Sequence, residues 1–117
     1  MSKKRNVRLL LIDIADAIDT IELYLSDLNE QLFYQDRKTK DAVVRNLEII
    51  GEASNQVPFL FKENNPRIKW REITDLRNRI IHEYFGIDYV LIWEIIEMDI
   101  PELKKEIQFL LKNMPEE

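Results

Sequence analysis

A histidine and an arginine five residues apart are the side chains of this chain best suited to chemistry. His82 is the only histidine, and a free imidazole titrates close enough to neutrality to give and take protons. Arg77 carries a permanent charge on a planar fork of N–H donors that matches a phosphate. Side by side they suit phosphodiester cleavage: the guanidinium binds the phosphate and stabilises its developing charge while the imidazole moves a proton. In RNA the 2′-hydroxyl supplies the nucleophile, so no metal is required. Such cleavage works best with two proton-transfer groups, a base for the 2′-hydroxyl and an acid for the leaving oxygen. One chain offers one histidine, whereas a two-fold dimer joining this region to its copy would offer two, with two arginines between them.

Other chemistries find no residues. The chain has no cysteine, and a di-iron bundle wants Glu-x-x-His pairs that are absent. Glu48 and Glu52, one helical turn apart, read instead as counter-charges for Arg45 and Arg77. Ser26 and Ser54 sit inside expected helices without a neighbouring histidine, and there is no glycine-rich phosphate loop. Neither a metal nor a cofactor is expected.

The elements that must position Arg77 and His82 are helical. Apolar residues from Val7 to Leu32 recur at three- and four-residue steps, which predicts one amphipathic helix from about Arg5 to about Phe33. Gln35 to Thr39 reads as a connection, with Asp36 as the N-cap of a second helix that Pro58 ends. Gly51 inside that helix predicts a close approach by another element. Asn64-Asn65-Pro66 is a breaker, and Phe59, Leu60 and Phe61 are expected to tuck under the bundle. A third helix is expected from Lys69 or Trp70 to Phe85, with Gly86 as its C′ residue. Asp88 caps a fourth, and Asp99-Ile100-Pro101 marks a kink or restart. The expected architecture is an all-α antiparallel bundle of four to five helices forming a single domain over residues 1–117.

On a helical wheel of about 100° per residue, Trp70, Ile73, Leu76, Ile80, Ile81 and Tyr84 form one broad apolar face. Arg77 projects from near its middle, and a guanidinium there needs a carboxylate, a carbonyl or a cleft open to water. His82 lies roughly 140° further round, in line with Asn78.

With 117 residues and 45% hydrophobic content the chain is ample for one core and short for two. Its formal net charge of −5 argues against a protein that coats nucleic acid non-specifically. The charge is uneven: Lys62 to Tyr84 carries six basic residues against four acidic, and Asp88 to Glu117 three against eight. A polyanion contact around Arg77 is therefore compatible with the composition. The basic start, Met1 to Arg5, followed by an apolar run broken at Asp13, fits neither a signal peptide nor a membrane span. Without cysteine, a reducing cytoplasm is the expected location.

Arg77-Asn78-Arg79-Ile80-Ile81-His82-Glu83-Tyr84 resembles the Arg-x4-His-x-Tyr motif of the HEPN superfamily, specifically the HepT-like toxins encoded beside minimal nucleotidyltransferase (MntA) antitoxins. Arg45 to Ala53 resembles the second-helix signature of that family, and Phe85 to Tyr89, Trp93 and Asp99 to Pro101 follow its order. The resemblance implies a homodimeric, metal-independent ribonuclease toxin acting on tRNA or mRNA, with Arg77 and His82 as the catalytic pair at the dimer cleft. It implies supporting or substrate-binding roles for Asn78 and Arg79. Tyr84 matches the tyrosine that the partner nucleotidyltransferase modifies with AMP, silencing the toxin. The alternative from a different class is a non-catalytic helical adaptor or nucleotide-binding module whose arginines hold phosphates while His82 is structural.

Overall fold

The computed structural model describes residues 5–82 and 86–115. It is a helical bundle: α1 (Val7–Leu25), α2 (Glu30–Gln35), α3 (Arg37–Gln56), α4 (Phe59–Asn64), α5 (Trp70–Thr74), α6 (Leu76–Ile80), α7 (Tyr89–Glu94) and α8 (Ile100–Asn113). Two antiparallel two-residue strands, β1 (Ile81–His82) and β2 (Gly86–Ile87), link α6 to α7. The all-α expectation holds. No described helix is long and apolar enough to cross a membrane.

The apolar stripe of α1, with Leu10, Leu11, Ile14, Ile18 and Ile21 buried, packs on Val43, Leu47 and Ile50 of α3. Helix α8 lies against the other side of α1 and contributes Leu103 and Ile107. It runs antiparallel to α1: Lys104 donates to Glu22 at 2.6 Å, and the Arg8 guanidinium donates to the Leu111 carbonyl at 3.3 Å.

Several expectations need correction. The first helix does not continue to Phe33. It ends at Leu25, and α2 starts afresh behind Asn29, whose side chain caps the Leu32 N–H. The break turns Phe33 inward against Tyr34, Tyr89 and Trp93, with ring centroids at 5.8, 6.4 and 5.2 Å. Phe59 and Leu60 do not tuck under the bundle and are both 71% exposed; only Phe61 packs, edge-on to Trp70. The third helix is interrupted at Asp75, whose backbone leaves the helical region at φ −90° and ψ 9°, and it ends at Ile80. Gly86 does take the left-handed conformation, φ 77°, but as a strand residue opposite His82 rather than as a helix cap.

The interruption at Asp75 also moves Arg77. With the phase reset at Asp75, Leu76 and Ile80 alone point α6 at the core, and Arg77 falls on its outward flank, 67% exposed. Asp36 and Asp88 cap α3 and α7 as expected. At Asp99-Ile100-Pro101 the chain stays helical through a π-helical turn, Ile95–Asp99, closed by the Ile100 N–H on the Ile95 carbonyl. Proline at the next position has no N–H to continue the regular ladder, and the wide turn absorbs the mismatch.

Candidate active site

A glycine sets where Arg77 stands. A Cβ on Gly51 would lie 3.2 Å from the Ile73 carbonyl oxygen and 3.4 Å from that of Thr74. Only the missing side chain lets the α5–α6 corner rest directly on α3, which is the close approach expected at Gly51. Glu48 lies one turn before Gly51 on the same helix face. Its Oε2 is 3.4 Å from Nε of Arg77, so the counter-charge expected for Arg77 is Glu48. No other carboxylate pairs with Arg77 among the described residues. The pair is too exposed to add more than about 1 kcal/mol to stability; its consequence is where the guanidinium points.

His82 is placed by the strand pair. Ile81 faces Ile87 and His82 faces Gly86, and the Asp88 N–H donates to the Ile80 carbonyl at 2.8 Å, extending the ladder by one bond. The imidazole, 46% exposed, has Nε2 3.7 Å from Oδ2 of Asp88. The other carboxylate oxygen, Oδ1, accepts from the Leu91 N–H at 3.0 Å. Reading Asp88 as a helix cap accounts for only half of this residue. The helix-to-strand change before His82 is what brings the two together, and its signal in the sequence is the β-branched run Ile80-Ile81 ahead of Gly86-Ile87.

Asn78 and His82 do not share a helix flank, because the helix ends between them. The Asn78 amide donates instead to Asp75 at 2.7 Å. Arg79 turns the opposite way and pairs with Asp99 at 3.6 Å, tying α6 to the π-helical turn. Tyr84 lies outside the described residues. Among the described residues no hydrogen bond or ion pair joins Arg77 to His82, and no group of three side chains could hold a metal ion. Arg77 and His82 thus project from the end of α6 and from β1 as two exposed groups, each against its own carboxylate.

Residues 14–110 match the family model described as ribonuclease HepT-like. The chain belongs to the ribonuclease HepT-like family. Similar relatives include the "Probable ribonuclease HepT" of Thermococcus cleftensis, 44% identical over 109 residues, covering 93% of this chain and 99% of the relative. Another is "Putative RNase MJ1380" of Methanocaldococcus jannaschii, 40% identical over 107 residues, covering 92% and 98%. No solved structure gives a significant match. The match to the HepT-like model spans α3, both strands and α7, so it includes every element that positions Arg77 and His82.

Proposed function

We propose that this ribonuclease cuts RNA internally at a composite site in the cleft of a homodimer, with Arg77 and His82 as the catalytic pair. The observation that carries this reading is the exposure of both groups without contact between them in one chain. A single subunit presents a phosphate-binding cation and one proton carrier, which is half of what the reaction needs.

The chemistry balances with a second copy. The RNA 2′-oxygen bonds to phosphorus and its proton passes to one imidazole. The bond from phosphorus to the 5′-oxygen breaks, and the other imidazole delivers a proton to that oxygen. The Arg77 guanidiniums hold the non-bridging oxygens as charge builds on them. No step calls on a metal. Arg67, Lys69 and Arg71, ahead of α6, pair with no carboxylate among the described residues, which leaves them available to an RNA backbone. Asn78, held by Asp75, and Arg79, held by Asp99, support the end of α6 that carries Arg77.

The same reading makes the chain the toxin of a two-component pair, neutralised by a cognate minimal nucleotidyltransferase that attaches AMP to Tyr84. Its support is the Arg77-to-Tyr84 motif. Incubating the chain with ATP and that partner tests it: the expected result is a mass increase in multiples of AMP mapped to Tyr84, together with loss of RNA cleavage. An unchanged mass, or AMP on another residue, overturns the assignment. Persistent binding of RNA without cleavage by an unmodified dimer would favour the adaptor alternative.

A further inference from the structure

We propose that Asp88 is a positioning residue for His82, fixing the imidazole with its proton on Nε2 so that Nδ1 is the nitrogen that meets the RNA. This rests on the ribonuclease reading above.

The two oxygens of the Asp88 carboxylate are divided between two partners. Oδ1 accepts the Leu91 N–H at 3.0 Å and so caps α7, which stops the carboxylate from rotating away. Oδ2, the remaining oxygen, faces Nε2 of His82 at 3.7 Å. The backbone holds both residues in register, since His82 pairs with Gly86 and the Asp88 N–H bonds to the Ile80 carbonyl at 2.8 Å. A separation of 3.7 Å is an ion-pair distance and not yet a hydrogen bond. Catalytic hydrogen bonds that are long in the free enzyme tighten in the substrate complex.

A carboxylate only accepts, so the nitrogen that faces it must carry the proton, and in a neutral ring the other nitrogen is then the acceptor. In the base role Nδ1 takes the 2′-hydroxyl proton, and the resulting imidazolium keeps Nε2–H directed at Asp88. In the acid role Nδ1 gives its proton to the 5′-oxygen and the ring returns to the Nε2–H form. Asp88 is not protonated in either step.

Asp88→Asn separates this role from the structural one. Asparagine caps a helix as well as aspartate does. Because the cap requires the amide oxygen on the Leu91 N–H, the amide nitrogen, a donor, replaces Oδ2 in front of His82. The chain has one histidine, so nitrogen-15 NMR of histidine-labelled protein, at alkaline pH with the ring neutral, reads its tautomer without overlap. The expected result is the Nε2–H tautomer in the native chain and the Nδ1–H tautomer in Asp88→Asn. The kcat for RNA should fall at least roughly 100-fold with KM little changed and the melting temperature close to native.

An unchanged tautomer in Asp88→Asn, or an unchanged kcat, overturns the proposal. The two readings fail separately: a tautomer switch in a chain that cleaves no RNA retains the Asp88–His82 coupling and removes the ribonuclease role. Full RNA cleavage with no tautomer switch does the reverse. Should Asp88→Asn melt well below the native chain, Asp88→Ser, which caps without a donor of amide geometry, carries the same measurement; there both tautomers should be populated, and a pure Nε2–H form overturns the proposal.

Discussion

Glu48 on α3 reaches Nε of Arg77 on α6 at 3.4 Å, and the two helices can come that close because the residue one turn beyond the carboxylate is glycine. The contact is worth little as stabilisation, yet it aims a charged side chain that would otherwise sample many rotamers. Replacing Glu48 by Gln should therefore leave the denaturation midpoint nearly unchanged, a shift below about 1 kcal/mol. Cleavage of RNA should drop roughly 10- to 100-fold in kcat/KM through misplacement of the guanidinium. Paired urea titrations and steady-state kinetics on the same samples check both halves.

Gly51→Ala should destabilise the fold. Alanine gains up to about 1 kcal/mol in helix propensity. Its methyl, however, meets the Ile73 carbonyl oxygen at 3.2 Å, a backbone atom at the end of α5, and overpacking of this kind costs about 1–3 kcal/mol. The net expectation is a loss of about 1 kcal/mol, read from the urea midpoint. A stabilised variant would show that the α5–α6 corner moves freely on α3.

Phe33 joins α2 to α7 through its ring contacts with Tyr89 and Trp93 and is fully buried. Phe33→Ala should cost about 3–5 kcal/mol, while Phe33→Leu, which keeps most of the volume, should cost under about 1.5 kcal/mol. Equal losses in thermal denaturation would mean that the site collapses around neither residue.

Asp36 supplies a pH test. The Thr39 N–H and hydroxyl, both bonded to its carboxylate, hold its carboxyl below the usual range. A depressed folded value means that the stabilisation is fully present above the unfolded value, about 3.9, and is lost as the pH falls through the folded one. Asp36→Asn should retain the cap and flatten the fall in melting temperature across that acid window. Asp36→Ala should melt lower at neutral pH as well.

The helical class, the capping aspartates, the close approach at Gly51 and the counter-charge at Glu48 were all legible, because each follows from local chemistry or from one anomalous residue. The break at Ser26 to Asn29 was hidden by an apolar period that continues through it. Nothing local distinguishes Leu28 and Leu32 on a continuous helix from Leu32 and Phe33 on a new one. The same limit hid the end of α6. Ile80 and Ile81 fit a helix as well as a strand by periodicity, so a single helical period through Asp75 puts Arg77 on the core face. Losing that helix is what turned His82 toward Asp88.

Arg77 and His82 are proposed to cut RNA together in a dimer. The most direct test is to incubate the purified dimer, shown by mass to carry no AMP, with total tRNA in EDTA. The expected products are fragments ending in 2′,3′-cyclic phosphate, lost by at least roughly 100-fold in both Arg77→Ala and His82→Ala. Intact RNA from that dimer, or undiminished cleavage in either variant, would contradict it.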